Sequence, residues 1–217
     1  MSQVTKKKTR PTSEALCASR EEEILAVAVR LFAEHGYADG DTQLLADQLR
    51  VGKGTIYRYF PSKRELFLAA VDRVMRQMLD VVLAAMAPVE DPLEKLGVAI
   101  EAFLSFFAAN PAFVELLIQE RALFKDRKKP TFQEHREKNI DRWRPLYEAL
   151  IADGRVRDIP VDRILRVVSD LLYGTIFTNY FAGQTKSAAA QAQDVLDILF
   201  HGILSDRERS IQATRPA

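Results

Sequence analysis

The sequence predicts an all-α protein of about nine helices. Three observations carry this. Apolar residues recur at spacings of three and four rather than two along nearly every periodic segment. Helix-start devices recur between those segments: a capping residue before a first-turn proline, or a Ser or Thr three residues before Glu. No stretch reads as a convincing strand, and neither heptads nor an internal repeat appears. Hydrophobic residues make up 47% of the 217, enough to bury a substantial core and to argue against global disorder. That length allows two modest domains or one large one.

Taken in order, Ser19 opens the first helix with Glu22 as a capping box. Ile24, Val27, Ala28, Leu31 and Phe32 share a face, and Gly36 is the stop. A short helix begins at about Thr42, with Leu45, Gln48 and Leu49 at helical spacing. Arg50-Val51-Gly52 reads as a tight turn into a second short helix from Lys53 to Phe60. Ser62 and Glu65 open a long fourth helix whose Leu66, Ala70, Val74, Met78, Val81 and Ala85 align, and Pro88 ends it. Asp91-Pro92 starts a helix through Phe107, and Asn110-Pro111 another to about Phe124. After a charged connector, Thr131 and Glu134 cap a helix carrying Trp143, Leu146, Tyr147 and Leu150 on one face, ended by Gly154. Two last helices run from about Val161 to Phe181 and from Ser187 to Leu204. The expected division is a flexible basic arm over 1–18, a first domain over 19–74 and a second over 75–217. The boundary falls inside the long fourth helix, with no flexible linker.

The net charge of +1 conceals an uneven distribution. Lys6, Lys7, Lys8 and Arg10 lie in an N-terminal stretch free of acids. Arg50, Lys53, Arg58, Lys63 and Arg64 stand against Asp47 alone over residues 42–64. The arm suits either a minor-groove contact or a solvated tail. No run of about 18 uncharged apolar residues occurs, so no membrane span is expected. There is no signal-peptide pattern, and Cys17 has no partner for a disulfide or a metal site. The expectation is a cytoplasmic protein that binds no membrane. His35, His135 and His201 are scattered and no catalytic motif is present. No enzyme activity, metal or cofactor is therefore expected.

Residues 42–65 have the make-up of a DNA-reading helix-turn-helix. Leu45, Leu49, Val51, Ile56 and Phe60 pack inward. Arg50, Lys53, Thr55, Tyr57, Arg58 and Tyr59 are left to face a duplex, and Gly54 permits close backbone approach. Lys63 sits at the next helix N-terminus, where charge and backbone N–H groups both favour phosphate.

The run Val51-Gly52-Lys53-Gly54-Thr55-Ile56-Tyr57-Arg58-Tyr59-Phe60, with Ser62-Lys63 and Leu66 after it, resembles the tetracycline-repressor (TetR) family. Ile24-Leu25, Ala28, Leu31-Phe32, Gly36-Tyr37 and Leu45-Ala46 extend the resemblance over residues 20–70. It implies that Thr55, Tyr57, Tyr59 and Lys63 position the DNA backbone. Lys53 is the foremost base-edge candidate, with Arg50, Arg58 and Gln43 as further contacts. The chain departs from the family pattern in two places. Gly40-Asp41 stands where a Thr or Ser pair is usual. The turn reads Leu49-Arg50-Val51-Gly52 rather than Ala-Gly-Val-Ser, so Arg50 replaces the turn glycine and Gly52 lacks a capping hydroxyl.

The resemblance makes the remaining helices an effector-binding and dimerisation domain. Phe103, Phe107, Phe113 and Leu117, with Trp143, Tyr147, Tyr173 and Phe177, either line a pocket or fill the core. Ile164, Val168, Leu172 and Ile176, with Val195, Leu199 and Ile203, supply a dimer surface or intramolecular packing. The implied partners are double-stranded operator DNA, a second copy of the chain and a small hydrophobic or aromatic effector. The implied function is a repressor released from a near-palindromic operator. The alternative is an architectural or division-related DNA-binding factor without an effector. A cavity or a solid core at the aromatic cluster separates the two.

Overall fold

The computed structural model describes residues 13–202. Among them are nine helices: α1 (Ser13–Asp39), α2 (Thr42–Gln48), α3 (Lys53–Tyr59), α4 (Lys63–Met86), α5 (Pro92–Ala109), α6 (Pro111–Leu123), α7 (Thr131–Ala152), α8 (Val161–Ala182) and α9 (Ala188–His201). The described residues contain no strand. The chain divides into two compact units, Met1–Arg73 and Val74–Ala217, so α4 contributes to both.

Several starts follow from the sequence devices. The Asp91 carboxylate accepts from the backbone N–H groups of Leu93 and Glu94, both at 2.9 Å. The Ser62 hydroxyl accepts from Glu65 N at 3.1 Å, and that of Ser187 from Ala190 N at 3.2 Å. Each satisfies a backbone donor that the first helical turn leaves open.

Two starts differ. α1 begins at Ser13, so Ser19 is interior and residues 13–18 continue the helix rather than the arm. Nothing between Ser13 and Ser19 breaks a helix, and the Glu22 carboxylate accepts from Arg73 at 2.6 Å instead of capping. Residues 1–12, with their four basic side chains, lie outside the described residues. α7 is preceded by Pro130 with no side-chain cap. The Thr131 hydroxyl donates instead to Glu120 at 2.8 Å, and Glu134 pairs with Arg127 at 3.0 Å. Thr131 is 4% exposed, so its side chain is drawn into the core rather than left to cap.

In the first unit, Ile24, Ala28 and Phe32 of α1 meet Leu45, Ile56, Leu66 and Phe67, all fully buried. Phe67 meets Phe32 and Tyr37 in T-shaped contacts, with ring centroids 5.1 and 5.2 Å apart, the geometry that aromatic quadrupoles favour. Gly36, at φ 71° and ψ 178°, breaks α1 where the stop was expected. Gly40 follows, with no room for a Cβ between the Gly36 carbonyl and the Phe32 ring. This tight return brings α2 under α1.

In the second unit, α5 packs against α6, α7, α8 and α9. Leu96, Tyr147, Leu150 and Leu165 form one cluster of its core. Glu120, 1% exposed, closes the link between α6 and α7. Its carboxylate accepts from Thr131 N at 2.9 Å and from the Thr131 hydroxyl, and pairs with Arg127.

Candidate nucleic-acid interface and apolar cavity

Asp41 is the N-cap of α2, its carboxylate accepting from Gln43 N at 2.8 Å. The unusual Gly40-Asp41 pair thus does the capping that a hydroxyl residue would do. Arg50 N donates to the Asp47 carbonyl at 3.1 Å and Val51 N to the Ala46 carbonyl at 3.0 Å. These bonds close the turn, and they hold Arg50 at φ 53°, among the described residues the one non-glycine with positive φ. Gly52 precedes α3 with no side-chain cap, but its carbonyl accepts from Thr55 N at 2.8 Å.

Left-handed backbone at a side chain with a Cβ costs about 1 kcal/mol. Arg50→Gly is accordingly expected to raise the stability of the first unit by up to about 1 kcal/mol, since the gain is partly offset by the greater freedom of an unfolded glycine. Chemical denaturation measures this; equal or lower stability would mean that the turn holds no such strain.

Ile56 and Phe60 are buried, while Gln43, Arg50, Gly54 and Arg58 are exposed. Lys53, Thr55, Tyr57, Tyr59 and Lys63 are half-buried. A Cβ added at Gly54 meets nothing within 4 Å, so the protein itself does not require glycine there. The Gln43 amide donates to Asp47 at 2.8 Å. Lys53 Nζ reaches Asp41 at 3.3 Å. The Asp41 carboxyl is held below the usual range, first by the Gln43 N–H and then by Lys53. Arg58 lies over the Tyr59 ring at 5.6 Å.

Two side chains differ from expectation. The Tyr57 hydroxyl is 3.0 Å from Thr42 Oγ1, and Thr42 is 2% exposed. Tyr57 thereby joins α3 to α2 inside the unit instead of presenting its hydroxyl outward. Lys63 Nζ donates to the Ala38 carbonyl at 2.9 Å and sits 5.0 Å from the Tyr37 ring centroid. It joins the start of α4 to the end of α1. Both roles depend on contacts 15 and 25 residues away, which local spacing does not reveal.

The second unit contains a cavity of about 130 Å³ between α4, α5, α7 and α8. Phe103, Trp143, Tyr147 and Tyr173 line it. The other aromatic-cluster candidates do not. Phe107 lines a separate hollow toward α6, Phe113 packs on Phe106 at 5.8 Å and Phe177 on Phe132 at 5.9 Å. Leu117, 1% exposed, is core. Leu117 and Phe113 belong to α6, which does not border the cavity. Sequence reasoning passed over the α4 residues Met75, Met78, Leu79 and Val82, which line the cavity too. Their regular apolar spacing was the available signal.

Of the residues expected at a dimer surface, several are engaged within the chain. Val168 and Leu172 line the cavity, Ile164 packs on the Tyr147 cluster, and Ile176 and Val195 are buried inside the chain. Leu199 is half-buried, and Ile203 lies outside the described residues. α8 is apolar on two faces, and the stripe chosen from spacing is the inward one. The outward one carries Val167, Leu171 and Phe181, the last 72% exposed, and α9 adds exposed Ile198 and Phe200.

Among the described residues, no group of three His, Cys, Asp or Glu could hold a metal. No single described helix is long and apolar enough to cross a membrane.

Residues 24–70 match the family described as bacterial regulatory proteins, tetR family. An uncharacterized HTH-type transcriptional regulator of Mycobacterium tuberculosis is 34% identical over 150 residues, covering 64% of this chain and 72% of that protein. The HTH-type transcriptional repressor KstR2 of Mycolicibacterium smegmatis is 28% identical over 199 residues, covering 89% and 95%. The crystal structure of FadR from Bacillus subtilis, solved in complex with stearoyl-CoA, superposes with a TM-score of 0.69 at 21% identity, covering 84% of this chain and 99% of that one. These relatives are regulators rather than enzymes. A helix-turn-helix unit, a helical second unit and a relative of this identity and coverage lead to one conclusion: the chain belongs to the TetR family and is a DNA-binding transcription regulator.

Proposed function

We propose that the protein is a homodimeric repressor that leaves a near-palindromic operator when a small apolar effector enters the cavity. The observation that carries this reading is the cavity itself, because α4 supplies part of its wall and also part of the helix-turn-helix unit. A solid aromatic core would have favoured an architectural factor without an effector. The reading also draws on KstR2, described as a repressor, and on FadR, solved with an acyl-CoA.

Lys53, Arg50, Arg58 and Gln43 supply donors to phosphate and base edges, with Gly54 and Thr55 at the closest approach. Tyr57 acts through α2 as a positioning residue, and Tyr59 and Lys63 flank the face. An effector releases DNA only to the extent that it binds one setting of α4 better than another. Footprinting on DNA flanking the protein's own gene tests the reading. Protection of two half-sites about one helical turn apart, lost on adding an apolar effector, is the expected result. Protection at no site, or protection that no apolar compound alters, sinks the repressor or the effector part respectively.

The dimer is assigned to the outward stripe of α8 and the exposed apolar end of α9. A charge at its centre is costly because it is desolvated without a partner. Leu171→Glu should therefore give monomers in sedimentation equilibrium at micromolar protein while helix content is kept. A dimer unchanged by that substitution places the interface elsewhere.

A further inference from the structure

Within the effector cavity, two tyrosines are in an uncommon position. Tyr147 of α7 is 6% exposed and Tyr173 of α8 is 9% exposed, and both line the cavity. Neither hydroxyl has a hydrogen-bond partner among the described residues. Burial alone pushes the Tyr147 phenol up to about 12. Burial also raises Tyr173. Among the described residues, no fully buried side-chain N or O lacks a partner, so each of these oxygens keeps some accessible surface on a side chain that lines the cavity. A phenol buried among apolar groups normally finds an acceptor. Here the acceptor is left to the occupant.

The charges on the wall point the same way. Arg136 is the one Lys or Arg among the lining residues, and no Asp or Glu lines it. The Arg136 guanidinium is already held by Asp170 at 2.6 Å and by the Arg166 carbonyl at 3.3 Å. No unpaired permanent charge faces the occupant, and a carboxylate or phosphate brought in would have to draw Arg136 from Asp170 to offset its desolvation. The lining residues of α7 run from His135 to Tyr147, a rise of about 18 Å along the helix, so the cavity is elongated. Met75 and Met78 on its wall adapt to shape more readily than branched side chains.

We infer that the cavity takes an uncharged, elongated, largely apolar ligand whose oxygens accept hydrogen bonds from Tyr147 and Tyr173. This rests on the reading of the cavity as the effector site, and it separates neutral ketone-, ester- or lactone-type ligands from free acids and acyl phosphoesters.

The protein carries its own reporter, because Trp143 is the one tryptophan in the sequence and lines the cavity. Titration of the full chain with three rod-shaped probes, followed by Trp143 fluorescence, tests the inference. The probes are para-diacetylbiphenyl, its hydrocarbon counterpart para-diethylbiphenyl, and biphenyl dicarboxylate. The diketone should bind best, and Tyr147→Phe and Tyr173→Phe should each weaken it about 3- to 10-fold, the range expected of one hydrogen bond. Neither substitution should change hydrocarbon binding. Phenylalanine keeps the packing, and thermal unfolding of both variants confirms the fold. If hydrocarbon and diketone bind alike in all three proteins, or the dicarboxylate binds best, the assignment of ligand chemistry is overturned while the cavity remains a binding site. If no probe perturbs Trp143, the effector-site reading itself fails.

Discussion

Replacing Glu120 by alanine is expected to destabilise the protein by about 3 kcal/mol, the scale set by breaking a buried, hydrogen-bonded ion pair from one side. The substitution leaves the Thr131 N–H and hydroxyl without their acceptor at the junction of α6 and α7 and reduces the Arg127 guanidinium to its pair with Glu134. Glu120→Gln keeps an acceptor oxygen for Thr131 and should cost much less, about 1 kcal/mol. The pH dependence separates the two forms of Glu120. Burial raises its carboxyl above the ordinary value of 4.5, against the lowering effect of Thr131 and Arg127. The folded state then holds this proton more tightly than the unfolded one. The resulting contribution to stability is present below the ordinary glutamate range and is lost as pH rises through the raised value. Denaturant titrations at several pH values should show that slope in the wild type and not in Glu120→Gln. Equal stability of the alanine variant and wild type would mean that the network contributes nothing to the α6–α7 junction.

Gly54→Leu is expected to lower affinity for the footprinted DNA by more than about 30-fold, while stability is unchanged or rises by up to about 0.5 kcal/mol. Inside the protein a side chain at this position meets open space, and leucine favours helix over glycine. What the leucine would occupy is the gap that a backbone approaching the groove requires. A loss of two to three good contacts, each worth about 1–3 kcal/mol, accounts for the size of the effect. Gel-shift titration at fixed salt, alongside thermal unfolding, reads both quantities. Undiminished DNA binding would show that α3 does not enter the groove at Gly54.

The two substitutions probe features of different visibility in the sequence. Gly54 was legible because a helix-turn-helix is a local motif: its spacing, turn and apolar positions all fall within residues 42–65. Glu120 was invisible, because its partners are chosen by how α6 and α7 meet. Thr131 and Glu134 have the spacing of a capping box, yet tertiary structure uses both for the Glu120 and Arg127 network.

What the sequence determined by itself was the all-helical class, most helix ends and the location of the DNA-reading unit. Those rest on interactions within about four residues: periodicity, caps at Asp91, Ser62 and Ser187, and the break at Gly36. Tertiary structure decided which face of each helix looks inward. α8 is apolar on two sides, so Val168 and Leu172 turned to the cavity and Val167, Leu171 and Phe181 to the surface. Tertiary structure also aimed Tyr57 at Thr42 and, among the described residues, left Tyr147 and Tyr173 without acceptors. Hydrophobic burial has no direction of its own. Periodicity therefore fixes that a helix has an apolar face, while only the packed neighbours select which of two such faces is buried and which hydroxyls find a partner.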